Sequence, residues 1–299
     1  MRSPKGLLAR SAFLGAGGLA YSLAEARSYR VQRHLLPVRA GAPGVTVLHV
    51  SDTHMKERDR AKTRWLRGLP ERLGLVPDLV LATGDLIEDA SGIDPLVDAL
   101  GRLPSRWGKW YVFGSHDYLH STFPGYVKYF TGNRAVVRAA PADTPRLERG
   151  LAEAGWRALT NRSEVLDTPA AHIRLTGVDD PYIHREETGH LGRSRDDELA
   201  IGLMHAPEVV SEYALAGYDL VLAGHTHGGQ VRIPLTGAVV TNSTLPCALA
   251  AGPTKVGAAW LHVSPGVGQG RFAPVRFNCR PEVTLLTLEP RPDKAASTP

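Results

Sequence analysis

Along this chain, apolar runs repeatedly stop at short clusters of glycine, aspartate and histidine. "GVTVLHVSD" (44–52) alternates β-branched and polar positions with the period of a strand. "PDLVLATGD" (77–85) is a short continuous apolar run, the pattern of a strand buried on both faces. "KWYVFG" (109–114), "HIRLTGVDD" (172–180) and "LAIGLMH" (199–205) also read as strands. "DLVLAGHTHGGQVRIP" (219–234) starts as a buried strand and resumes as a second one, and "AAWLHVS" (258–264) and "EVTLLTLE" (282–289) follow. Helical patterns fall between them: "RDRAKTRWLRGLPERL" (58–73) with a proline interruption, 94–103, and "APEVVSEYALAG" (206–217) with a glycine stop. Strands alternate with helices over the first two-thirds and are mostly consecutive in the last third. That order predicts an α/β chain with a mixed sheet or two sheets. Residues 120–170, rich in Pro, Ala and Arg, read as loops, and 291–299 as a disordered tail.

Composition narrows the class. At 299 residues, 43% apolar and 22% charged, the chain has the make-up of a folded protein able to bury a large core. Two cysteines, Cys247 and Cys279, exclude a disulfide framework and read as two reduced, buried thiols, with a single bridge as the alternative. The net charge of +5 is unevenly placed. Residues 1–40 hold seven Lys/Arg against Glu25 alone, so residues 41–299 sum to −1. The body is therefore no basic nucleic-acid surface. Basic residues flank a weakly apolar stretch, "SAFLGAGGLAYSLA" (11–24), too short and too polar for a membrane span. Three readings of residues 1–43 stand: a helix lying on an anionic membrane, a signal-like segment with "LAEA" (23–26) as a loose cleavage site, or a helix packed on the domain. The first makes the protein membrane-associated; the others make it exported or cytoplasmic.

The chemistry lies at the strand ends. Asp52 and His54, then Asp85, then His116 and Asp117, then His205, then His225 and His227 each follow an apolar run. In α/β sheets the loops after strand C-termini converge on one crevice, so these residues are expected to meet. In "DTH" and "HTH" the paired residues are two apart, and continued extended chain would face both the same way. Gly84, Gly224, Gly228 and Gly229 would let the backbone turn sharply beside them. Mixed imidazole and carboxylate donors without cysteine suit Mn, Fe, Co or Zn in a reactive site, rather than a structural zinc. His49, His172 and His262 sit inside strand patterns and read as core or face residues. His120, His184 and His190 read as loop residues.

"SDTH" (51–54), "TGDLIED" (83–89), "GSHDY" (114–118), "LMHAP" (203–207) and "GHTHGGQ" (224–230), in this order, resemble the motif blocks of the calcineurin-like metallophosphoesterase superfamily. The ending "VSPGVGQGRFAPVRFNCRPEVTLLTL" (263–288) resembles that of a bacterial, often membrane-associated branch. The resemblance spans about residues 44–290, which would form the domain. It implies a four-layer αββα sandwich of two mixed sheets flanked by helices, around two divalent transition-metal ions. Asp52, His54, Asp85 and His227 would hold the first ion. Asp85 would bridge to the second, with His205 and His225. A hydroxide between the ions would attack phosphorus in line, and His116, oriented by Asp117, would serve the leaving oxygen.

Ser115 departs from the family pattern, which has an asparagine ligand there. A serine hydroxyl is a shorter, poorer donor, so the second ion is expected to bind more weakly. The leading expectation is hydrolysis of a phosphodiester or pyrophosphate on a lipid or nucleotide headgroup. The alternative is a catalytically weakened metal-binding sensor or scaffold.

Overall fold

The computed structural model of the chain describes residues 16–39, 42–123, 139–169, 171–192 and 198–290. The first strands are β1 (Arg30–Val38), β2 (Val45–Val50), β3 (Leu79–Thr83), β4 (Gly108–Val112) and β5 (Trp156–Ala158). Then come β6 (Arg162–Asp167), β7 (His172–Gly177), β8 (Glu198–Leu203) and β9 (Leu220–Ala223). A short hairpin of β10 (Arg232–Ile233) and β11 (Gly237–Ala238) precedes β12 (Gly252–Val256), β13 (Ala259–Val263) and β14 (Glu282–Pro290). The helices are α1 (16–25), α2 (Arg60–Arg67), α3 (Leu69–Leu73), α4 (Ile93–Gly101), α5 (Ser115–Tyr118), α6 (Thr144–Glu153) and α7 (Val210–Leu215).

Two six-stranded mixed sheets result, in the orders β1-β14-β2-β3-β4-β5 and β12-β13-β9-β8-β7-β6. In the first, β2 to β5 run parallel and β14 lies antiparallel to β2. In the second, β13, β9, β8 and β7 run parallel, with β12 and β6 antiparallel at the two edges. The alternation of side chains across each strand sorts the core into layers. Val47, Leu79, Leu81 and Trp110 of the first sheet meet Ile173, Leu199, Ile201 and Leu220 of the second. On its outer face the first sheet presents Leu48, Val80 and Tyr111 to Leu66, Leu96 and Leu147 of the helices. The second sheet turns Ala200, Val221 and Leu261 outward, towards Tyr213 of α7. This is the four-layer αββα sandwich that the motif resemblance implied.

Several sequence expectations change. Residues 30–38, assigned to the N-terminal segment, form β1 and pair along their length with β14, so the sheet extends past the expected boundary at residue 44. Its mixed Arg, Gln and His positions are those of an edge strand and hid it. Residues 139–169 are not merely loop, since they carry α6, β5 and β6; residues 124–138 lie outside the described set. The 58–73 helix breaks at Gly68, and Pro70 sits in the first turn of α3, where its missing N–H costs nothing. Both cysteines are free, Cys279 buried and Cys247 half-buried. His49 and His262 are buried, and His172 lies exposed on β7 beside Asp167. Among the described residues no helix is long and apolar enough to cross a membrane. The expected tail, 291–299, and residues 1–15 lie outside the described residues.

Candidate metal centre

The strand ends set the spacing of the site. β2 ends at Val50, β3 at Thr83, β8 at Leu203 and β9 at Ala223. Asp52, Asp85, His205 and His225 each follow two residues later. The loops are tied together by backbone hydrogen bonds: Asp52 N donates to Gly84 O, His54 N to Asp85 O and Gly224 N to His205 O. His205 Nδ1 reaches across from the second sheet to Thr83 O of the first, at 2.7 Å.

The backbone is not the continued strand expected for "DTH" and "HTH". Asp52, His54, Asp85, His225 and His227 all have positive φ, between 40° and 69°. Each is an L-residue in the left-handed region, where the Cβ crowds the following carbonyl at a cost of about 1–2 kcal/mol. Repeated left-handed turns, not a period of two, bring the side chains inward. Such strain clusters at functional sites and persists where surrounding contacts over-determine it. Gly84 shares this conformation, with φ 80°. Gly224 has another reason to be glycine, because a Cβ there would stand 2.3 Å from Asp52 Oδ2 and 2.0 Å from Ser51 Oγ.

Among the described residues three donor clusters form, Asp52–His54–His227, Asp52–Asp85–His205 and His54–Glu88–His116, in each of which the donor atoms lie within 4.8 Å of one another. His225 stands beside the second, its ring centroid 5.1 Å from that of His205. The imidazoles are pinned on one nitrogen. Only an N–H can bond a carbonyl or carboxylate, so His205 Nδ1 on Thr83 O, His54 Nδ1 on Glu88 Oε2 (2.9 Å) and His225 Nε2 on Asn242 O (3.0 Å) carry the hydrogens. The opposite nitrogens then present lone pairs. His205 Nε2 is buried with no hydrogen-bond partner and lies 3.2 Å from Asp85 Oδ2. His54 Nε2 and His227 Nε2 face each other at 3.2 Å. A lone pair aimed at a carboxylate repels it unless a cation, proton or metal, lies between, and the His54 Nε2 lone pair beside His227 Nε2 offers a second such position, so these residues fit metal ions. Charge agrees with this. Burial and then His205 push His225 down to about 3, and burial and then His54 hold His227 well below the histidine range, leaving both neutral as ligands must be. His205 differs: burial opposes a charge on it, but Asp85, Asp180 and Asp52 outweigh this and raise its pKa far above normal, so its Nε2 calls for a cation beside Asp85, and a metal ion there would take the place of a proton. Those three carboxylates are themselves buried.

Asp52 is held from both sides. Ser51 Oγ donates to its Oδ2 at 2.5 Å, and His225 N donates to its carboxylate at 3.1 Å. Ser51 belongs to a buried chain that runs through Thr83 Oγ1 and His49 to His262 between the sheets. The two core histidines thus brace Asp52, a candidate ligand, as well as the core.

The expected partnership of His116 with Asp117 is not what the carboxylate does. Asp117 accepts from the backbone N–H groups of Leu86, Ile87 and Gly114 and fastens the β4 loop to the β3 loop. Burial and the Asp85 charge push it up to about 7. His116 turns instead to Ser121 and Glu88. Its Nδ1 lies 2.9 Å from Ser121 Oγ, which donates to Glu88 Oε1. Its Nε2 points inward, 3.9 Å from Asp85 Oδ2. The sequence reading missed Glu88, which holds both His54 and the Ser121–His116 pair. The signal was there in "GDLIED": an acid three residues after Asp85 that is wholly buried. Also missed were Asp180, orphaned at Oδ2, Tyr182, packed 4.7 Å from the His225 ring, and Arg271, which bonds Glu88 and Asp89.

His54, Asp85, Tyr182, His225 and His227 line one side of a cavity of about 430 Å³. Ser115, His116, His120 and Arg271 stand at the polar side, and Leu119, Ile183, Val231, Val239, Val240 and Phe272 form an apolar wall.

The sequence model of calcineurin-like phosphoesterases matches residues 45–229, from β2 through the second histidine pair. The chain belongs to the calcineurin-like phosphoesterase family. Among relatives, the metallophosphoesterase YkuE of Bacillus subtilis is 26% identical over 95% of this chain and 94% of its own length. The phosphodiesterase YaeI of Escherichia coli is 29% identical over 71% of this chain and 70% of its own. Among solved structures, the phosphopantetheinyl hydrolase PptH of Mycobacterium tuberculosis is similar at a TM-score of 0.41 and 13% identity, over 84% of this chain and 98% of that one. As a calcineurin-like phosphoesterase, the protein is a metal-dependent phosphoester hydrolase.

Proposed function

We propose that the protein hydrolyses a phosphodiester or pyrophosphate carried on a lipid or nucleotide headgroup, using two divalent cations. The observation that carries this reading is the pair of buried imidazoles, His205 and His54, whose pinned N–H groups leave a lone pair aimed at Asp85 and another at His227. Asp52, His54, Asp85 and His227 would hold one cation, and Asp85, His205 and His225 the other, with Ser115 as a further neutral donor. When bound, the pair supplies an activated water and neutralises charge growing on the phosphoryl oxygens; Mn, Fe, Co and Zn suit the donor set.

The chain's own residues do the rest. Glu88 fixes the His54 ring through Nδ1 and, through Ser121, fixes His116 so that its Nε2 faces the site. From there His116 stabilises the leaving oxygen or hands it a proton. Arg271, with its guanidinium on Glu88 and Asp89 at the cavity edge, meets the phosphoester's remaining negative oxygens. The apolar wall takes the group beyond the phosphate, which favours a lipid-linked headgroup over a protein substrate.

The test is hydrolysis of bis-p-nitrophenyl phosphate and p-nitrophenyl phosphate after chelation and reloading with Mn, Fe, Co or Zn. Preference for the diester with added metal supports the reading. Metal binding with no turnover of either ester would favour the sensor or scaffold reading that Ser115 raises.

A further inference from the structure

The structure points to a membrane-docking face: we propose that the β10–β11 hairpin and the neighbouring α1 helix seat the mouth of the cavity on an anionic phospholipid bilayer. The hairpin exposes apolar side chains at every bend. Val231, Ile233, Val239 and Val240 are exposed, and Leu235, at the tip, is fully so. Leu235 also has φ 73°. A leucine there carries two costs, an unburied side chain and a left-handed backbone that Asn or Gly would adopt more cheaply, with no packing return within the chain. Val231, Val239 and Val240 continue inward as cavity wall, so the exposed apolar surface and the substrate cleft are one surface.

The α1 helix adjoins it. Phe277 pairs with Val231 and accepts from Arg232 N, while its ring packs edge-on against Tyr21 at 5.4 Å. Arg276 N donates to Ser22 O, and Glu25 accepts from Asn278 N and Cys279 N, so the end of α1 is fixed to this loop. Leu19 and Tyr21 remain exposed.

Charge names the partner. Residues 220–281, which supply the hairpin and much of the cavity wall, contain five basic side chains and no acidic one. Arg276 is buried on backbone carbonyls and Arg271 pairs with Glu88 and Asp89, but Arg232, half-buried, and Lys255 and Arg280, exposed, would meet the phosphates of an anionic bilayer while the apolar protrusion enters the acyl boundary. A protein partner would be expected to call for both signs of charge at the rim.

The inference rests on the substrate reading only in placing a lipid's phosphate near the cavity. Docking is read without turnover, so the two fail separately. The experiment is flotation of full-length protein with vesicles of phosphatidylglycerol and phosphatidylcholine, or of phosphatidylcholine alone. Ile233→Asp/Leu235→Asp and Leu235→Asn are compared with wild type, with light scattering on each. Wild type should bind the anionic vesicles and bind phosphatidylcholine far less. Ile233→Asp/Leu235→Asp should lose about tenfold or more of that binding, and Leu235→Asn should lose a smaller part while keeping its fold. Hydrolysis of bis-p-nitrophenyl phosphate in solution should be unchanged in both. Equal vesicle binding by wild type and both variants would overturn the proposal. So would a wild-type dimer that Leu235→Asn splits in the absence of any vesicle binding, which would make the hairpin a contact between copies of this chain.

Discussion

The floor of the cavity and its rim are built on opposite principles. On the floor Asp52, His54, Asp85 and His205 are buried; left-handed backbone holds the first three, and hydrogen bonds to neighbouring loops hold all four. At the rim the β10–β11 hairpin has two residues per strand, and most of its side chains face outward. The floor spends stability on one fixed geometry, as metal chemistry requires, since ligands and their supports must hold to a fraction of an ångström. The rim leaves apolar surface uncovered, which selects what enters rather than what reacts. Function as proposed thus divides by depth: reaction type belongs to the buried loops, and the proposed lipid substrate and membrane docking to the exposed ones.

Substitutions on the floor should therefore stop the reaction, and substitutions at the rim should leave it running. The largest effect is expected for Asp85→Asn, which removes the carboxylate shared by both proposed cation positions. Hydrolysis should fall on the order of 10³-fold or more, with circular dichroism unchanged and metal content reduced. His116→Ala should lower turnover by about 10²–10⁴-fold, with little change in the metal concentration needed, and most for poor leaving groups. Glu88→Gln should cost about 10–100-fold, and unlike His116→Ala it should also raise the metal requirement, because Glu88 holds His54 as well. A metal titration of turnover distinguishes the two. Ser115→Asn should tighten the second cation by about 1.5–3 kcal/mol if the hydroxyl is a poor ligand, seen as half-maximal activity at lower metal. The smallest effect belongs to the rim. Leu235→Asn should leave soluble-ester hydrolysis alone and stabilise the fold by about 1 kcal/mol by relieving the left-handed leucine, measured by thermal unfolding.

The same division explains what could be read in the sequence. "DTH", "GD" and "HTH" were legible because they end apolar runs that can only be buried strands, and the ends of parallel strands converge. The layered sandwich was legible through the ordered motifs. The edge strand β1 was not, since an edge carries polar residues and has no alternation to betray it. The role of Asp117 was misread because adjacency to His116 in sequence says nothing about direction: at the first turn of α5 the carboxylate turns back to backbone N–H groups. Glu88 was passed over because its partners, His54 and Ser121, come from loops 34 and 33 residues away. The left-handed backbone at five of the proposed ligand positions has no signature in residue type, as none of them is glycine or asparagine.

The central claim is that these buried loops hold two cations and that the reaction needs both. Its most direct test is to strip the protein with chelator, return Mn in measured steps, and follow bound metal and hydrolysis of bis-p-nitrophenyl phosphate together. Binding of two ions per chain is predicted, with turnover rising as the second fills, and Asp85→Asn should hold at most one and stay inactive. Full turnover with one ion bound, or with none, would contradict the account.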